Sequence, residues 1–251
     1  MLPLRDRLPT RTFPFVNYLI IAANVLFFFW QIALLESGYS DLGSDFGFVP
    51  YRFNVEPITA APTIFTSMFM HGSWAHIGGN MLSLWIFGDN VEDAMGHLRY
   101  AAFYLLGGVA AAITQMGADP FSQIPMVGAS GAIAAVMAGY LVLHPTSPIT
   151  FINPIPILWL IFGIFIELPA WIAALMFFGI NLFSGLSSLG PGPHPPGGVA
   201  FFAHIGGFIA GLVLIRFFIR GKDRREAKRW SGWIPPERRR SSGWNDPRRG
   251  W

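Results

Sequence analysis

Residues His71–Asn80 read HGSWAHIGGN, and they open a stretch, Ala75–Val91, that is apolar enough to cross a membrane. Two histidines and an asparagine thus stand where lipid is expected. Polar side chains inside spans are expensive and mark function by default. The rest of the chain supports a membrane setting. It has 251 residues, 53% hydrophobic and only 12% charged, with a mean hydropathy of +0.46. A soluble domain usually carries about 25% charged residues. Between Thr12 and Ile215 the only cations besides histidine are Arg52 and Arg99. The basic excess lies at the two ends, in Arg5, Arg7 and Arg11 and from Lys222 through Arg249. The pI of about 9.5 therefore reports basic flanks, and nucleic acid is excluded as a partner. Zero cysteines exclude disulfides and thiol catalysis. The composition describes a polytopic membrane protein.

A spanning helix needs roughly 20 mostly apolar residues. The candidate spans are Phe15–Leu35, Ala75–Val91, Leu98–Gln115, Val127–Leu143, Leu168–Leu186 and Val199–Ile219. The first is too long for a signal-peptide core and is followed by polar ESGYSDLG, so it reads as retained. Basic termini belong on the cytoplasmic side, which requires an even number of crossings. Six satisfies this rule. The apolar segment Ile149–Ile166 carries Asn153, Pro154 and Pro156, and reads as interfacial or partly re-entrant instead of a seventh span. The long loop 36–73 then lies outside, on or dipping into the outer leaflet.

With this orientation the second, fourth and sixth spans all run inward. His76 and Asn80 lie in the outer turns of the second. Ser130 of VGASGA lies at the outer start of the fourth, and His204 of FFAHIGGF lies near that of the sixth. Three polar clusters from separated sequence share one depth. On the second span His76, Asn80, Ser83 and Phe87 share a face at spacings of four, three and four. Gly131, Ala135 and Gly139 form a small-residue ridge on the fourth span, and Gly207 and Gly211 form another on the sixth. Such ridges let backbones approach closely and would bring Ser130 to His204. The fourth span is also short for a hydrocarbon core of about 30 Å, so Ser130 is expected below the surface, in a hydrated pocket open to the outside.

A serine with a histidine in reach is the minimum for nucleophilic acyl transfer. Asp89, Glu92, Asp93 and Glu167 fall at inner ends, so no carboxylate completes a triad and the reading is a dyad. Donors for a developing oxyanion are available from the Ser130 backbone N–H at a helix start, and from His76 and Asn80. GASG alone is weak, since Ala132 stands where the soluble hydrolase elbow has glycine.

Taken together, HGSWAHIGGNML, LWIFGDNVEDAMG, GASGA, LPAW and AHIGG, in this order from Phe48 to Phe218, resemble the rhomboid family of intramembrane serine proteases. The resemblance implies an all-α, six-transmembrane-helix bundle with both termini cytoplasmic. The chain divides into a basic N-terminus at 1–14, a membrane domain at 15–220 and a basic, cytoplasmic Trp/Arg-rich tail at 221–251 that has no counterpart in the family. The resemblance implies Ser130 as nucleophile and His204 as general base. The oxyanion hole falls on His76, Asn80 and the Ser130 backbone, supported by Gly128 and Gly131, with His71 ordering the pocket. It implies no cofactor and no metal. The implied activity is cleavage of transmembrane protein substrates near the outer membrane face. Ala134 occupies a place where the family often has an aromatic against the imidazole, and Asn181 that of a common glutamine.

Other readings are weaker. His71 and His76 lie about 140° apart on a helix, unlike the i, i+4 pair of a zinc protease. A catalytically silent binder usually lacks the serine or histidine, and a transporter wants midplane charges or paired broken helices. His97, His144 and His194 are expected in solvated loops, and Gly78 and Gly79 at close-packing positions. The tail, with ten Lys/Arg against four acids, favours anionic lipid and is expected to lack regular structure. The lack of a transit peptide and the compact core favour a bacterial inner membrane.

Overall fold

A backbone in lipid must satisfy its polar groups internally, so long apolar runs adopt helices. The computed structural model of the chain describes residues 2–153, 163–187 and 200–219. Six longer helices dominate it: α1 (Phe15–Glu36), α6 (Trp74–Met95), α7 (His97–Ala118), α8 (Ser130–Leu143), α9 (Ala170–Ser187) and α10 (Phe201–Phe218). Four of them, α1, α7, α9 and α10, are long and apolar enough to cross a membrane, and the chain is a multi-pass integral membrane protein. The remaining two differ. α6 has 22 residues but carries Asp89, Glu92 and Asp93 near its end, and α8 is apolar but only 14 residues long.

Loop 36–73 is built from short helices: α2 (Leu42–Phe46), α3 (Pro50–Val55), α4 (Pro57–Ala60), α5 (Thr63–Thr66) and a 3₁₀ turn at Ser67–Phe69. It is tied to the segment before α8 by Phe48 and Met126, whose N–H and C=O groups exchange bonds of 3.0 and 2.8 Å.

The expectation of an all-α chain needs one correction. A three-stranded antiparallel sheet joins β1 (Leu2–Asp6), β2 (Pro148–Ile152) and β3 (Phe165–Pro169), in that order. It takes in part of the basic N-terminus and both ends of the segment expected to be interfacial or re-entrant. Ile149, Thr150, Phe151 and Ile166 are β-branched or aromatic and suit a pleated surface. The register pairs Leu2 with Ile152 and Thr150 with Glu167. The Arg7–Glu167 ion pair adds a side-chain tie between the residue after β1 and β3. Residues 154–162, the Gly/Pro-rich loop with His194, and the tail 221–251 lie outside the described residues.

The acids of GDNVED organise this end of the bundle. Glu92 is fully buried and its carboxylate accepts the N–H groups of Val16 (2.9 Å) and Asn17 (2.7 Å). It thereby caps the first turn of α1, whose N–H groups have no partner within the helix. Asp93 accepts from the Arg11 guanidinium at 2.9 Å and from the Thr12 N–H and hydroxyl. Asp6 accepts from the Asn90 amide (2.8 Å) and the Tyr140 hydroxyl (2.7 Å). Burial is the main force lifting the Asp6 carboxyl, to about 7; donation from Tyr140 opposes it and the Asp89 charge adds to it. Two histidines expected in solvated loops are engaged here. His97 sits at the start of α7 with Nδ1 2.5 Å from Glu92, and His144 is buried against the Tyr140 ring. α1 carries a second polar stripe, with Asn17, Asn24 and Gln31 buried at seven-residue intervals. Asn17 donates to the Leu84 carbonyl and accepts from Tyr100.

At the core, α8 is surrounded by α6, α7, α9 and α10. The small-residue ridges of α8 and α10 meet. A Cβ on Gly207 would lie 2.0 Å from the Gly131 carbonyl oxygen, and one on Gly211 would lie 2.4 Å from that of Ala135. Gly207→Ala should therefore force the two helices apart, lowering the melting temperature in detergent and abolishing activity, whereas a change at lipid-facing Val213 should do neither. Asp6 makes a pH prediction. Its folded pKa of about 7 lies above the ordinary aspartate value of 3.8, so its contribution is full below the lower value and is lost as pH rises through the higher one. Asp6→Asn should flatten that part of the melting temperature against pH curve.

Candidate active site

α6, α8 and α10 begin at the same end of the bundle, and their first turns enclose a cavity of ≈ 460 Å³. Each start has a local cause. α6 is capped by Ser73, whose extended backbone lets its hydroxyl accept the His76 N–H at 3.1 Å. α8 begins after Gly128, which has φ +120 and donates its N–H to the Ser67 carbonyl at 2.8 Å. A side chain at Gly128 would be strained, and its Cβ would stand 2.6 Å from His76 Nε2. The 3₁₀ turn at Ser67–Phe69 thus holds the stretch of chain that delivers Ser130.

Ser130 is the first residue of α8, and its Oγ lies 2.6 Å from Nε2 of His204, one turn into α10. Imidazole at this distance can take the hydroxyl proton as the oxygen attacks. Opposite them, on α6, Asn80 is buried with an Nδ2 that has no hydrogen-bond partner. His76 Nδ1 lies at 3.5 Å from the Gly72 N–H, which leaves Nε2 as the ring's donor toward Gly128 and the cavity. Ser130, Gly131 and Ala132, whose N–H groups have no partner within the first turn of α8, border the same space. Ser130, His204, His76, Asn80, Gly128 and Gly131 all line this one cavity.

His71 does not line it. Its ring stands 5.1 Å from that of His76, and its backbone is clamped by Gln31 of α1 through bonds of 2.9 and 3.1 Å. Burial, and secondarily the neighbouring His76, lowers the His71 pKa to about 4, so the ring is neutral at physiological pH. Gly78 and Gly79 are not close-packing positions, because a Cβ on either would meet open space. Among the described residues no group of three or more His, Asp, Glu or Cys side chains gathers in a way that would hold a metal ion.

Two residues at the site escaped the sequence reading of roles. Asn181 of α9 places Oδ1 2.5 Å from His204 Nδ1. Phe177, one turn earlier on α9, sets its ring 5.8 Å from the imidazole at 48°. An aromatic therefore does flank His204, supplied by α9 and not from Ala134 of α8. The signal for Asn181 was available, since an amide inside an apolar span meets the same criterion that singled out Asn80.

Comparison with known proteins gives one consistent result. A family model described as the Rhomboid domain matches residues 60–221. Rhomboid protein 1, mitochondrial, of Saccharomyces cerevisiae is 29% identical over 104 residues, which are 39% of this chain and 30% of that protein. RHOMBOID-like protein 6, mitochondrial, of Arabidopsis thaliana is 30% identical over 151 residues, 60% of this chain and 41% of that protein. Rhomboid protease AarA of Providencia stuartii is 27% identical over 216 residues, 78% of this chain and 69% of that protein. The chain thus spans well under half the length of the yeast and plant relatives and more than two thirds of the bacterial one.

The Phe177 ring makes its own prediction. Ring pairs of this kind contribute about 0.5–1.5 kcal/mol beyond area burial. Phe177→Ala should slow labelling of Ser130 by a fluorophosphonate by roughly 2- to 12-fold, while Phe178→Ala, whose ring meets Phe208 instead, should not.

Proposed function

This chain belongs to the rhomboid family, and from that premise we propose that it is an intramembrane serine endopeptidase working through a Ser130–His204 dyad. The observation that carries the proposal is the 2.6 Å contact between Ser130 Oγ and His204 Nε2, in a cavity also lined by Asn80, whose Nδ2 has no hydrogen-bond partner. Ser130 attacks the scissile carbonyl carbon as His204 takes its proton. The negative charge on the former carbonyl oxygen is received by Asn80 Nδ2, His76 Nε2 and the Ser130 N–H. His204 then returns the proton to the leaving amine, and water resolves the acyl-enzyme by the same route in reverse. His71 backs His76 and keeps its ring in place.

The membrane setting belongs to the same proposal. α1, α6, α7, α8, α9 and α10 make six crossings, with both termini cytoplasmic and loop 36–73 outside. The membrane domain covers 15–220, flanked by the basic segments 1–14 and 221–251, the latter against anionic lipid. The protein resides in a bacterial inner membrane. At 1.5 Å per residue, the 14 residues of α8 rise about 21 Å, short of a hydrocarbon core of about 30 Å. Its start therefore lies submerged, reached by water from outside. A substrate transmembrane segment enters between α6 and α9, since α9 packs chiefly on α10 and α8. The segment unwinds near the outer face, and small or helix-breaking residues favour this step.

The test uses the purified protein in detergent with a model transmembrane substrate. Ser130→Ala should show no cleavage and no fluorophosphonate labelling, and cleavage at the wild-type rate would overturn the mechanism. Asn80→Ala should lower kcat by about 10²- to 10³-fold with labelling of Ser130 retained at a reduced rate. Loss of activity on adding a chelator would point to metal chemistry instead.

A further inference from the structure

His204 has a second partner that the dyad does not use. Its Nδ1 lies 2.5 Å from Oδ1 of Asn181, and Asn181 is buried. An asparagine side chain can present either its oxygen or its nitrogen, and the choice decides what the histidine must carry. Here the choice is made by α9 itself. Asn181 Nδ2 donates to the Phe177 carbonyl, one turn back, at 2.8 Å. Turning the amide over would set its oxygen against that carbonyl oxygen, two acceptors face to face. Oδ1 is therefore the atom turned toward His204, and an oxygen without a proton can only accept. Nδ1 must then hold the hydrogen. Neutral imidazole has one N–H, so Nε2 is left bare, facing the Ser130 hydroxyl at 2.6 Å.

We propose that Asn181 is a positioning residue of the catalytic apparatus, holding His204 in the Nδ1–H tautomer so that Nε2 is free to act as base. The inference rests on the serine-protease reading above. In the opposite tautomer Nε2–H would point at Ser130 and nothing would accept the hydroxyl proton. During attack the proton moves from Ser130 Oγ to Nε2 as the Oγ–carbon bond forms. The imidazolium then donates through Nδ1 to Asn181, and the Nε2 proton leaves with the amine. No proton passes to Asn181 at any step. The arrangement is thus a serine–histidine–asparagine relay in which the third member orients and accepts without ionising, as asparagine does in papain-like cysteine proteases. Phe177 and Asn181, four apart on α9, hold the ring from its face and from its edge.

The experiment compares wild type with Asn181→Leu, Asn181→Ala and Asn181→Asp, using the full chain in detergent. A buried hydrogen bond to a group that becomes charged supports a loss of about 10- to 100-fold on removal. Asn181→Leu and Asn181→Ala should therefore lose about 10- to 100-fold in kcat with KM nearly unchanged. Asn181→Asp keeps an acceptor at the same reach and should restore most of kcat. ¹⁵N spectra of histidine-labelled protein should show His204 protonated at Nδ1 in wild type and a mixed tautomer in Asn181→Leu. Full kcat in both acceptor-free variants would overturn the proposal. So would an Asn181→Asp variant as slow as Asn181→Leu with the wild-type tautomer in both. Ser130→Ala separates the two levels: if it still cleaves, the protease reading itself fails. If it is inactive while the acceptor-free variants are unaffected, only the role of Asn181 falls.

Discussion

The reactive pair depends on how closely two helices approach in a solvent that does little to press them together. Lipid offers almost no hydrophobic drive between apolar helices, so their contact rests on close packing and interhelical hydrogen bonds. α8 and α10 achieve it backbone to backbone, with Gly207 beside the Gly131 carbonyl and Gly211 beside that of Ala135. Ser130 directly precedes Gly131, and His204 lies less than one turn before Gly207. The lever between packing contact and chemistry is therefore short. A displacement of a few tenths of an ångström at the glycines is transmitted almost undiminished to the oxygen–nitrogen pair.

At the sheet end three carboxylates are held: Glu92 caps α1, Asp93 is bound by Arg11 and Thr12, and Asp6 by Asn90 and Tyr140. These contacts anchor the chain and leave little capacity for a reaction. At the opposite end Asn80 keeps a buried donor without a partner. Leaving such a group unpaired costs about 1–3 kcal/mol, which a purely structural asparagine would avoid.

Much of this was legible in the residues, and the gaps have physical causes. The second and fourth spans, placed at Ala75–Val91 and Val127–Leu143, could be read because apolar length is a local signal. The glycine ridges could be read because helical spacing is periodic. The sheet could not, because β1 pairs with residues almost 150 positions away and Leu2–Asp6 carries no distinctive pattern by itself. Asn181 resisted assignment for a similar reason. An amide in an apolar helix can satisfy its nitrogen on its own preceding turn, and only the fold shows what its oxygen meets. His144 was misjudged because a histidine beside a proline reads as a turn, whereas the bundle closes over it against Tyr140. The aromatic neighbour of His204 was sought one turn along α8, but it arrives from another helix.

The amide at position 181 also bears on how the protein is made. A carboxylate near the middle of a helix opposes its entry into the bilayer by about 2.5–3.5 kcal/mol on insertion scales. α9 carries no charged side chain among its 18 residues, so it can be handed to the membrane before its partners arrive. An asparagine at this position thus reaches His204 without adding a charge to the span that carries it.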